Sequence, residues 1–295
     1  MMSLQQLVDE LRAFIMDCMD VSCGHMLSDK PIIPEGLLKC IEQLTFSINM
    51  TTDSLLFLIE HKQVWDATIL LRSALDGSAR FCYLLSAKTR QDEELRLHEF
   101  CELLPRAEMG GIEQPVTGMI KSPFYKGTDS FQDPVLDPIK AVVDQMKPQD
   151  GEGKLMRELK TRWDFFHLSK KLCKNDENPA WKDFAPLFEY RYAMSNQLVH
   201  KTDTGCGQIL ERYRREPSYR SISDLAHSST LLVSACFLTY VRLVTLLERE
   251  NMDFKVLGSV LLKHEYLFNG AQEIEDAFVL AYKRNEERNQ LAKGK

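Results

Sequence analysis

The sequence predicts an all-α protein, a single multi-helix bundle, on three observations. Apolar residues recur at helical spacing along nearly the whole chain. No convincing alternating strand and no Asn-Gly or Asp-Gly hairpin appears. With 295 residues, 44% hydrophobic and 27% charged, the chain has the balance of a globular protein large enough to bury a core.

Ser3 to about Asp20 reads as a first amphipathic helix. The connection "SDKPIIPEG" follows, with Pro34 placed at the start of a long helix from Glu35 to about His61. Val64 to Ala87 is apolar almost all round, which predicts a central position. Residues 91–104 form a short helix. Residues 105–133, with Pro105, Pro115, Pro123 and several glycines, read as a loop-rich insertion.

Helices resume over Pro134 to Lys147, Gly153 to Lys174 and Pro179 to His200, with a kink or break expected near Pro186. Gly205 and Gly207 mark a turn beyond His200. The longest apolar helix follows, with Ser221 or Ser223 as its N-cap. Its segment Ser229 to Leu247 is the best candidate for a membrane span, but Arg242 and several hydroxyls predict a buried core helix and no membrane contact. The C-terminal stretch is amphipathic and then highly charged. No repeat or domain boundary is evident, so residues 1–295 read as one domain.

A net charge of −6 argues against coating nucleic acid through bulk charge. The acidic, amphipathic N-terminus lacks a secretory leader's basic region and cleavage site. The eight scattered cysteines, with no C-x-x-C, read as reduced thiols of a cytoplasmic protein. Cys18, Cys23 and His25 lack a fourth ligand at zinc spacing, so no metal or other cofactor is expected.

Three constellations could carry chemistry. Arg72, Asp76 and Arg80 recur every four residues, about 40° apart per step, along one stripe of the central helix. They form either a self-satisfying ionic network, with Asp76 as its structural link, or a phosphate site built from two guanidiniums. Glu189, Tyr192, Asn196 and His200 make a polar stripe ending at a helix C-terminus. His200 is there either a partner of the helix dipole or a general acid/base oriented by Asn196. Third, "ERYRREPSYRS" interleaves Arg212, Arg214, Arg215 and Arg220 with Tyr213 and Tyr219, a pattern suited to phosphate contact and base stacking. P-loop, dinucleotide-binding, nucleophile-elbow and H-E-x-x-H motifs are absent. His61, His98, His167, His227 and His264 read as ordinary core or surface histidines.

The segments "LLRSALDGSAR" and "YRYAMSNQLVHK" together resemble the HEPN superfamily (higher eukaryotes and prokaryotes nucleotide-binding), over about 30 residues of the chain. The resemblance implies an HEPN-like helical core, often dimeric, in toxin–antitoxin and anti-phage systems. Many members are metal-independent ribonucleases that use an Arg followed closely by a His. On that basis His200 would be the acid/base, with Asn196 orienting it. Arg72 or Arg80 would hold phosphate, and Lys201, Arg212, Arg214 and Arg215 would track RNA. Tyr192 belongs to the supporting network. Arg191 is nine residues before His200, on the opposite helical face, so it does not fit the family arginine. The other expectation is a non-enzymatic module that binds a nucleotide or a protein.

Overall fold

The computed structural model describes residues 3–26, 33–109, 152–174 and 177–293. The described residues are helical almost throughout and contain no strand. They form α1 (Leu4–Met26), α2 (Glu35–Glu60), α3 (Val64–Leu85), α4 (Arg90–His98), a π-helical segment Glu99–Leu103, α5 (Leu104–Met109), α6 (Gly153–Arg162), α7 (Phe165–Cys173), α8 (Pro179–Val199), α9 (Asp203–Arg214), α10 (Pro217–Arg249), α11 (Lys255–Lys263) and α12 (Glu265–Lys293). The all-α class expected from periodicity is what the structure has.

Contacts divide the chain into two compact units. The first combines Met1–Ser86 with Ser169–Lys295, and the second is Ala87–Leu168. Neither junction has the Pro/Gly-rich composition of a linker, which is why the sequence reads as one domain. In the second unit, the buried carboxylate of Glu99 accepts from Trp163 Nε1 at 2.8 Å and pairs with Arg162. This fixes the π-helical segment against the end of α6.

The first unit is organised around α3, which packs against α2, α8 and α10. Leu71, Leu75, Ala79 and Cys82 are fully buried along it. The α2–α3 approach is close because Gly77 has no side chain: a Cβ there would lie 2.6 Å from Ile48 Cγ1. At the start of α8, buried Asn178 accepts from the backbone N–H of Trp181 at 2.8 Å and donates to Thr245 Oγ1 of α10 at 2.7 Å. One side chain thus caps α8 and anchors it to α10. By length and composition α10 could cross a membrane, but 78% of its most apolar window is buried within the protein.

Several boundaries differ from the sequence expectation for identifiable reasons. Pro186 lies inside an unbroken α8. It stands on the exposed face, where the carbonyl one turn earlier, which its missing N–H would have bonded, can turn to solvent. Gly205 and Gly207 belong to α9, not to a turn. Thr202 caps α9 by accepting from Gly205 N at 3.2 Å, and a Cβ on Gly205 would meet Gln197 O at 2.6 Å. Gly205 therefore serves the close approach of α9 to the end of α8. The helix α10 begins at Pro217, its first-turn proline, rather than at a serine cap. The expected helix Gly153 to Lys174 is divided at Asp164, whose Oδ1 accepts from His167 N at 3.1 Å. Residues 105–109 continue a helix, while the rest of the expected insertion and the helix Pro134 to Lys147 lie outside the described residues.

The turn after α8 has a different origin. Lys201 has φ 47°, and the N–H groups of Lys201 and Thr202 donate to Leu198 O and Gln197 O, each at 3.1 Å. This is a Schellman closure with lysine where glycine is usual. The same closure recurs at Lys62, φ 61°, and Asn251, φ 52°.

Two stability outcomes follow from this packing. Gly77→Val forces α2 from α3 and should destabilise the protein by about 1–3 kcal/mol. Lys201→Gly relieves the left-handed conformation and should stabilise it by about 0.5–1 kcal/mol. Urea denaturation of each variant measures both; a neutral Gly77→Val would contradict the close contact.

Candidate binding cleft

The residues singled out from sequence separate into three places. Arg72 donates from Nη2 to Tyr192 OH at 3.3 Å and lies over the Tyr192 ring at 5.1 Å. Tyr192 OH in turn donates to Asp76 Oδ2 at 3.4 Å. The tyrosine of α8 thus bridges the arginine and aspartate of α3. Arg80 follows, partly buried, two turns beyond Arg72.

His200 is the exposed residue that ends α8. It lies two helical turns, or about 12 Å along the axis, from Tyr192. Because α8 runs antiparallel to α3, moving from Tyr192 to His200 leads away from Asp76 and Arg80. Asn196, one turn before His200, accepts its backbone N–H through the main-chain carbonyl at 3.1 Å. Lys201 is exposed in the turn. The structure therefore brings Arg72, Asp76 and Tyr192 together, and holds His200 at a helix end apart from them.

The arginine-rich stretch closes α9 and opens α10. Arg215 forms a two-point pair with Glu211, with both contacts at 2.7 Å, and covers the Tyr219 ring at 5.1 Å. Arg220 donates to Tyr213 O at 3.1 Å and covers that ring at 5.2 Å. Arg214 is exposed. Arg212 instead turns inward and is only 9% exposed.

Arg212 leads into a cleft of about 330 Å³ lined by Trp65, Tyr190, Arg191, Arg215, His227 and Phe278, among others. The guanidinium of Arg212 stacks 5.3 Å from the Trp65 ring, and its Nε is 2.7 Å from Asp224 Oδ1. Nη1 donates to His227 Nδ1 at 2.8 Å, while Nη2 is buried without a hydrogen-bond partner. Burial, followed by the neighbouring charge of Arg215, outweighs Asp224 and lowers the pKa of Arg212. Around the cleft the guanidiniums of Arg191, Arg212 and Arg215 outnumber the single lining carboxylate, Glu211.

The hydrogen bonds fix the tautomer of His227. Thr68 Oγ1 already donates to Val64 O at 2.8 Å, so towards His227 Nε2, 3.1 Å away, it is an acceptor. Nε2 therefore carries the proton, and Nδ1 offers its lone pair to Arg212. Burial, then Arg212, then Arg191, push the pKa of His227 down to about 3. It is a neutral hydrogen-bonding link at physiological pH, with both ring nitrogens engaged.

Sequence reasoning passes over Trp65, Arg191 and His227 because they come from α3, α8 and α10, and no short motif joins them. The available signal is that Arg191, on the face opposite His200, has to point at something else. Among the described residues, no group of three or more His, Cys, Asp or Glu side chains is arranged to hold a metal ion. Cys23 and His25 are not among the residues whose side chains are described. Comparison of the chain with family models, curated proteins and solved structures finds no match.

The depressed pKa of His227 gives a pH dependence of known sign. The folded state excludes a proton that the unfolded histidine takes up below about 6.5, so stability falls as pH drops from there towards about 3. His227→Gln should lose less stability than the wild type between pH 7 and pH 4.5 in urea denaturation. Imidazole nitrogen NMR at pH 5 should show the neutral Nε2–H form of His227; an imidazolium there would contradict the assigned network.

Proposed function

We propose that this chain is a non-enzymatic helical binding module that holds a phosphate-bearing planar ligand, a nucleotide or an RNA end, in the Trp65–Arg191–Arg212–His227 cleft. The observation that carries this reading is Arg212. A nine-tenths-buried guanidinium retains an unsatisfied N–H donor at a cleft lined by two further arginines. Leaving such a donor dry costs about 1–3 kcal/mol, which an anionic oxygen would recover. Tyr190, 55% exposed at the rim with Arg191 over its ring at 5.3 Å, offers a stacking surface for a base. A nucleotide-type ligand is also what the HEPN resemblance implies.

Binding is favoured over cleavage by the state of the polar groups. His227 is neutral, hydrogen-bonded at both nitrogens and held far below the range of a general acid/base at neutral pH. Glu211 is committed to Arg215. His200 stands at an exposed helix end, while Arg72 is engaged with Tyr192 two turns away.

Calorimetric titration with AMP, ADP, ATP and a short 5′-phosphorylated RNA tests the reading. Saturable binding of at least one is expected, weakened about tenfold or more by Arg191→Gln and by Arg212→Gln. Binding should persist in His200→Ala. Absence of saturable binding, or binding indifferent to both arginine variants, would overturn the assignment. RNA cleavage that is lost in His200→Ala would replace it with the nuclease reading.

A further inference from the structure

A second buried arginine, far along α10 from the cleft, has a different unmet need. Arg242 is 6% exposed, and among the described residues its hydrogen bonds run from Nη2 to neutral oxygens alone: Asn49 Oδ1 at 3.3 Å and Thr239 Oγ1 at 3.2 Å. No carboxylate pairs with it among the described residues. Burial lowers its pKa to about 10, which leaves it charged at neutral pH. The thiols of Cys18 and Cys82 are the groups whose negative charge would act on it, and burial holds both up at about 12. They are therefore neutral and supply no counterion.

Beside Arg242 lies a small pocket of about 20 Å³, half open to solvent and lined by Cys18, Asn49, Phe81 and Thr239, among others. Two buried donors belonging to its lining have no acceptor: Arg242 Nη1 and Asn49 Nδ2. The amide of Asn49 cannot be turned to change this, because its oxygen already receives Arg242 Nη2. The pocket lining thus combines a positive charge that no carboxylate among the described residues pairs with and two unmet N–H donors. Its volume suits a single acceptor atom. Water would satisfy the donors but leave the charge, and uncompensated buried charge is the costlier deficit.

We propose that this half-open pocket is a binding site for one small monovalent anion, chloride or a similar halide, held by Arg242 Nη1 and Asn49 Nδ2 between α1, α2 and α10. The site is independent of the cleft. Its occupant acts as a structural counterion that lets a charged side chain sit inside an apolar helix.

Thermal unfolding of the full chain tests this with chloride replaced stepwise by gluconate at constant ionic strength. The wild type should gain roughly 2–5 °C for each tenfold rise in chloride above the dissociation constant. Arg242→Met, which removes the charge at similar volume, should abolish the gain. If that variant does not fold, Asn49→Leu should weaken the response. Crystals soaked in bromide should show anomalous density between Arg242 and Asn49. A wild type indifferent to the anion, a variant that responds as the wild type does, or density for water alone would each overturn the proposal.

Discussion

The first unit depends on the burial of α3 on several sides at once. A helix that packs against α2, α8 and α10 depends on those neighbours to meet its buried polar side chains, and among them Ser78 Oγ is left without a partner. Thr68 meets His227 of α10, Arg72 and Asp76 meet Tyr192 of α8, and Tyr83 receives Lys171 of α7 at 2.9 Å. These contacts set the register of the surrounding helices. Gly77 then sets how closely α2 can approach. Hydrophobic burial supplies the drive for this arrangement, and the polar pairings decide which of many apolar packings is adopted.

The cleft follows from that register. With α3 parallel to α10 and antiparallel to α8, the first turn of α3, the start of α10 and the later part of α8 share one end of the bundle. Trp65, His227 and Arg191 therefore converge there. Arg212 enters from α9, which the glycine at 205 allows to lie close against the end of α8. Arg212 is held by the Trp65 ring, by Asp224 and by the neutral His227, and Arg215 by Glu211, so the cationic groups are fixed in place by the surrounding side chains.

Much of this fold is legible in the sequence because helical periodicity is a local property. The central place of α3 is legible in its all-round apolar character, and the pairing of its charges in their spacing of four. Cap chemistry is less legible. Three helices close through a left-handed Lys62, Lys201 or Asn251, where glycine would have been the visible signal, while Gly205 and Gly207 lie inside a helix. The cleft is least legible, since Trp65 stands more than a hundred positions before Arg191, Arg212 and His227, and these come from separate helices that meet only through tertiary packing. His227 on its own is indistinguishable from any core histidine. Its role emerges only when Thr68 and Arg212 are seen to occupy its two nitrogens.

The first unit is also discontinuous, leaving at Ser86 and returning at Ser169. On the ribosome, α1, α2 and α3 emerge well before α8 and α10 exist. At about 5–20 residues per second, the more than one hundred residues that separate the end of α3 from the start of α10 take on the order of ten seconds to synthesise. Until α8 and then α10 emerge, the faces of α3 destined for them have only the ribosome surface or a chaperone to shield them. The Ala87–Leu168 unit can meanwhile collapse on its own short-range contacts. The nascent chain thus carries a period of exposed apolar helix that the finished protein conceals, and its yield depends on how well that helix is sheltered during synthesis.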